Sequence, residues 1–306
     1  MPTATSNGIT LTYETQGDPA GVPVLLIMGL GLQLTSWPEA FCQKLVERGF
    51  YVIRFDNRDS GLSSKMDHLG HPSLLLSFIK NMLHLPLSAG YTLHDMAKDA
   101  VGLLDVLGIE RAHIVGASMG GMIAQIVAGN YAERTHSLTS IMSSSGRRGL
   151  PGPTSAARHA LLSQPANPRD LECVVDHLAK TFRVIGSPAY PTPEVQLRER
   201  LTAAIKRNMN PAGTVRQLVA IAASGDRVEL LKSIKVPALV IHGVQDPLVP
   251  IACGRDTARL IPGATLREID GMGHDLASEL IVTISQMIDA HCKGGPVPHA
   301  RGSAAN

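Results

Sequence analysis

The first half of the chain alternates short apolar runs with stretches of helical periodicity. Ile9–Thr15 alternates apolar and polar residues, which predicts an edge strand with one wet face, and Gly17-Asp18-Pro19 ends it. Val22–Met28 is a continuous apolar run closed by Gly29, the pattern of a strand buried on both faces, as in parallel sheets. Glu39–Arg48 has helical spacing with Gly49 as its stop signal, and Tyr51–Phe55 predicts a second buried strand before the polar turn Asp56-Asn57-Arg58-Asp59. From Thr92, a candidate cap with Asp95 three residues on, apolar residues recur at Met96, Ala100, Leu103, Leu104 and Leu107 until Gly108. Ala112–Val115 then predicts a strand, Gly120–Asn130 a helix of small residues, and Leu138–Met142 another strand. This rhythm implies an α/β fold with a mostly parallel sheet and helices on both faces.

The rhythm breaks between Ser143 and Ser233. Pro and Gly cluster in Gly146–Pro153, around Gly186–Pro193 and at Pro211-Ala212-Gly213, with helical stretches at Leu171–Phe182 and Glu194–Arg207 between the breaks. The segment reads as a helical insertion that leaves the sheet untouched. Strands resume with Ala238–Ile241 and Thr265–Ile269, and an amphipathic helix over Ala277–Cys292 precedes a Gly- and Pro-bearing tail. The expected organisation is a core of residues 1–142 and 234–293, an insertion over 143–233 and a disordered tail over 294–306.

Composition narrows the class. With 306 residues, 44% of them hydrophobic, the chain can bury a large core, and with 4% aromatics that core rests on Leu, Ile, Val, Ala and Met. A net charge of +2 without a basic run argues against nucleic acid as a partner. Cys42, Cys173, Cys253 and Cys292 show no CxxC spacing, so they read as reduced thiols and no metal site is expected. Met1–Thr10 lacks a basic stretch followed by an apolar core, and every apolar run is shorter than the ~20 residues a membrane span needs. A soluble cytoplasmic protein without a membrane partner is expected, with a homo-oligomer left open.

The candidate chemistry starts at His113-Ile114-Val115-Gly116-Ala117-Ser118-Met119-Gly120-Gly121, a strand, sharp turn and helix with Gly-x-Ser-x-Gly across the turn. With 29 glycines in the chain a lone match carries little, so its placement between a buried strand and a small-residue helix is what counts. A serine hydroxyl is a poor nucleophile without a base. His274, in Gly271-Met272-Gly273-His274, follows the last predicted strand and lies at the sheet edge where active sites gather. The base in turn needs an acceptor to fix its tautomer. Asp246, on the loop after the preceding strand, suits that role better than Asp270 or Asp275, which lie too close to His274 in sequence to reach its far ring nitrogen. The two amides that would hold an oxyanion are those of Met119, after the serine, and Leu30, in the loop Met28-Gly29-Leu30-Gly31.

On these residues the chain resembles the α/β-hydrolase superfamily from about Ile9 to His291. The turn Phe55-Asp56-Asn57-Arg58-Asp59-Ser60-Gly61-Leu62-Ser63, with Ile27-Met28-Gly29, resembles the aclacinomycin methylesterase-like branch of its esterases. The resemblance implies a serine esterase without cofactor, acting on small apolar carboxylic esters under a helical cap formed by the insertion. It also implies a structural role for Arg58, which would pair with acids and pin its loop. Met28 departs from the superfamily's commoner His at the first position of the oxyanion loop. The same triad also serves carbon–carbon, lactone or amide hydrolysis and peracid formation, and a member that binds a small ligand without turnover stays open.

Overall fold

The computed structural model describes residues 1–70, 72–73, 87 and 89–300. Eight strands form one sheet: β1 (Thr3–Ser6), β2 (Ile9–Gln16), β3 (Val22–Ile27), β4 (Phe50–Phe55), β5 (Ala112–Ala117), β6 (Thr135–Ile141), β7 (Ala238–Gly243) and β8 (Thr265–Ile269). Their spatial order is β1-β2-β4-β3-β5-β6-β7-β8. From β4 to β8 every pairing is parallel, while β1 and β2 join antiparallel at one edge. Residues 1–10 therefore supply a strand that their pattern did not announce.

Side-chain alternation along the buried strands splits the core into two layers. Leu25, Ile27 and Ile114 face α2 (Leu93–Val106) and α3 (Met119–Asn130). Val24, Leu26, Val115 and Ala117 face α1 (Glu39–Val46) and α10 (Ile281–Cys292). Thr92 and Asp95 close the expected capping box on α2. Between β6 and β7 the chain forms five helices and no strand: α4 (Ser155–Leu162), α5 (Leu171–Ile185), α6 (Glu194–Arg207), α7 (Pro211–Ala223) and α8 (Val228–Ser233). The Pro211-Ala212-Gly213 break is in fact the start of α7. Asn210 accepts from the Gly213 amide at 3.1 Å, and Pro211 occupies the first turn, where its missing N–H costs nothing. A further helix, α9 (Ile251–Leu260), precedes β8.

Register aligns the ends of the strands. Ile27 lies opposite Gly116, Ala117 opposite Ile141, Ile141 opposite Ile241, and Gly243 opposite Ile269. The loops that follow β3, β5, β7 and β8 thus leave one edge of the sheet side by side. Residues 294–300, expected to be disordered, lie against the sheet: Val297 and Ala300 pack on the α10 side of the core, and Arg267 Nε donates to the Pro298 carbonyl at 2.9 Å. Residues 301–306 of that tail lie outside the described residues. All four cysteines are free, and among the described residues no helix is long and apolar enough to cross a membrane.

Candidate active site

Ser118 stands between β5 and α3 with φ 56° and ψ −119°, a left-handed backbone that a side-chain-bearing residue adopts only when its surroundings impose it. Those surroundings are tight. A Cβ on Gly116 would overlap the Gly120 carbonyl, and one on Gly120 would overlap the Ile27 carbonyl, so both glycines are sterically required. The Ser118 amide donates to Ile141 O at 2.9 Å, and Ser143 Oγ donates to the Ser118 carbonyl at 2.8 Å. Packing and hydrogen bonds together offset the strain and aim Oγ off the sheet edge. The first amides of α3 lack intrahelical acceptors, and Met119 opens that turn.

The structure brings Ser118, His274 and Asp246 together. His274 Nε2 lies 2.9 Å from Ser118 Oγ, and His274 Nδ1 lies 2.7 Å from Asp246 Oδ2. The backbone fixes both partners. His274 N donates to Ile185 O at 2.7 Å, and Asp246 Oδ1 accepts from the Leu248 and Val249 amides at 2.9 and 2.8 Å. With one Asp246 oxygen held by two N–H donors, the other is left for the imidazole. The rival acids fall away: Asp270 is exposed, and the Asp275 carboxylate accepts from Ser187 Oγ.

Met119 directly follows the serine, and Leu30 lies in the loop after β3. Gly29, just before Leu30, packs so closely that a Cβ there would sit 3.1 Å from Ser118 Cβ. The loop is a tight turn closed by Leu32 N–H to the Gly29 carbonyl at 3.3 Å, with Gly31 at φ +66°, as the third position of a type II turn demands. Below it lies the buried turn after β4. Asn57 Nδ2 donates to Met28 O at 2.9 Å, and Ser60 Oγ donates to Leu32 O at 2.6 Å. Arg58 forks onto both oxygens of Asp99 at 2.6 Å.

Several residues around the site were not picked out from sequence. His242, at the end of β7, is fully buried with Nε2 2.7 Å from Val249 O and 3.7 Å from Asp246 Oδ2. Burial pushes its pKa down, so it stands as a neutral ring behind the acid and donates to the loop that carries it. Ser187 Oγ accepts from the Gly273 amide at 2.9 Å, which ties the histidine loop to the segment after α5. Arg216 on α7 forks onto Asp59 at 2.6 and 2.8 Å. Burial raises the Asp59 carboxyl, but Arg216, the Met66 amide and the Tyr91 hydroxyl outweigh it and hold the pKa below the usual carboxylate range. Ser187 and Arg216 are marked only by pairing across 86 and 157 residues of sequence.

Fold and sequence relatives together define a hydrolase. The chain belongs to the α/β-hydrolase family, whose α/β-hydrolase-fold model matches residues 22–172. It is 30% identical to rhodomycin D methylesterase DnrP of Streptomyces peucetius over 97% of this chain and all of that protein. A putative carbamate hydrolase, RutD of Caulobacter sp. (strain K31), is 28% identical over 90% of this chain and 91% of its own. Among solved structures, the meta-cleavage product hydrolase of Pseudomonas fluorescens IP01 superposes with a TM-score of 0.75 at 20% identity, covering 96% of this chain and 98% of that one. The enol-lactonase of Burkholderia xenovorans LB400 gives 0.68 at 26% identity, covering 96% and 97%.

Proposed function

We propose that the protein is a serine carboxylesterase that hydrolyses carboxylic esters of small apolar molecules through an acyl-enzyme on Ser118. The observation that carries this reading is the unbroken relay from Ser118 Oγ through His274 to Asp246, at 2.9 and 2.7 Å, between residues 156 and 28 positions apart in sequence. His274 takes the hydroxyl proton as Oγ attacks the ester carbonyl. The Leu30 and Met119 amides hold the oxyanion, and the intermediate collapses as His274 returns the proton to the departing alkoxide. Water then repeats the sequence on the acyl-enzyme, and the scheme needs no cofactor. The insertion over residues 143–233 serves as the cap that walls the substrate. The methylesterase relatives favour an ester, and the enol-lactonase at 26% identity favours lactones as a second substrate class.

A panel of p-nitrophenyl esters of increasing chain length, with methyl esters and lactones beside them, tests the reading. The wild type is expected to turn over at least one ester series. Ser118→Ala should lower kcat by about 10⁴-fold or more with an unchanged melting temperature. Full activity in that variant removes Ser118 from the mechanism.

A further inference from the structure

Gln217 lies on α7, far from Ser118 in sequence, and is fully buried. Its Oε1 accepts from the Gly31 amide at 2.8 Å and its Nε2 donates to the Arg58 carbonyl at 2.7 Å. A flipped amide would set donor against donor and acceptor against acceptor, so the orientation is fixed. Gly31 N–H belongs to the central peptide of the tight turn, the peptide that rotates when a type II turn converts to type I. One turn of helix earlier, Thr214 presses on the same glycine, where a Cβ would come within 2.6 Å of its Oγ1. Met28 O and Leu32 O are already held from the other side by Asn57 and Ser60. With the Gly31 amide held by Gln217 and the Leu32 amide by the Gly29 carbonyl, neither is free to face Ser118.

We infer that Gln217 is a positioning residue for the oxyanion loop: it locks the Leu30–Gly31 peptide and so anchors the turn that carries the Leu30 amide. The inference rests on the Ser118 reading above and assigns Gln217 no contact with substrate. It also makes the oxyanion site depend on the insertion, because α7 belongs to it. The histidine loop is held by the same insertion through Ile185 and Ser187.

The test compares Gln217→Met, which keeps side-chain length but loses both polar partners, with Gln217→Glu, which keeps an acceptor for Gly31. Each is assayed for kcat and KM on a short p-nitrophenyl ester and for inhibition by an aryl trifluoromethyl ketone, which forms an oxyanion on the serine. Gln217→Met should lower kcat by about 10- to 100-fold with KM within about twofold, part of the loss measured when one oxyanion donor is deleted outright. Its affinity for the ketone should fall by the same factor. Gln217→Glu should recover most of the kcat even where its melting temperature drops. Wild-type kcat and ketone affinity in a folded Gln217→Met variant would overturn the inference, as would equal kcat losses in both variants. Should the Met variant not fold, Gln217→Asn, one methylene short of both partners, takes its place under the same criteria. A wild type that ignores both ester and ketone would instead sink the Ser118 reading itself.

Discussion

The two oxygens of Asp246 have divided duties: Oδ1 is filled by two backbone amides and Oδ2 faces His274 Nδ1. An asparagine there must keep its carbonyl on those amides, which turns its NH₂ toward the imidazole. His274 would then hold its proton on Nε2, the nitrogen that must accept from Ser118. Asp246→Asn is accordingly expected to fold normally and lose about 10⁴-fold in kcat, read by steady-state ester hydrolysis. A loss below tenfold would show that the tautomer is not controlled from Asp246. At this scale the sequence was informative where chemistry needs a residue type at the end of a strand. Ser118 and Asp246 each follow a fully buried strand and His274 follows the half-buried β8, while Leu30 and Met119 are expectations drawn from the turns beside them. Gln217 and Arg216 carried no such mark, because a polar residue on a helix reads as solvent-facing until its burial is known.

At the scale of elements, the seam between β5, β6 and α10 gathers three histidines away from the site. His113 Nδ1 lies 2.8 Å from Ser137 Oγ, and the His113 and His136 rings are 5.2 Å apart. His291 Nε2 donates to Leu138 O at 3.1 Å. Burial, then His136, His291 and Arg111, push the His113 pKa from 6.5 down to about 4. Between those values the unfolded chain binds a proton that the folded one refuses. Stability therefore falls as pH drops from 6.5 toward 4, by on the order of 3 kcal/mol from His113 alone. Urea unfolding midpoints at pH 7 and pH 4.5 should show this loss, and His113→Gln should shrink the difference. An unchanged pH dependence would contradict it. Elements with strong periodicity were legible: α6 and β8 have the bounds that their patterns gave. Among the elements the patterns did not give, α7 opens with Pro and Gly and is capped by Asn210.

Across the whole molecule, the sheet supplies a rigid edge and the insertion completes it. The sheet was legible because parallel strands buried on both faces must be apolar throughout, whereas β1 was missed because its paired residues, Thr3 to Ser6, are mostly small and polar. How the insertion meets the core was not legible, since contacts such as Arg216–Asp59 and Arg207–Asp56 join segments 157 and 151 residues apart. The central claim is that Ser118 is an activated nucleophile, and the most direct measurement is covalent labelling. A fluorophosphonate should add one phosphonyl group per chain, seen by intact mass and mapped by peptide fragmentation to Ser118, and prior inhibition by an ester-derived acyl-enzyme should block it. An unlabelled wild-type protein, or an adduct on another residue with Ser118 untouched, would contradict the account.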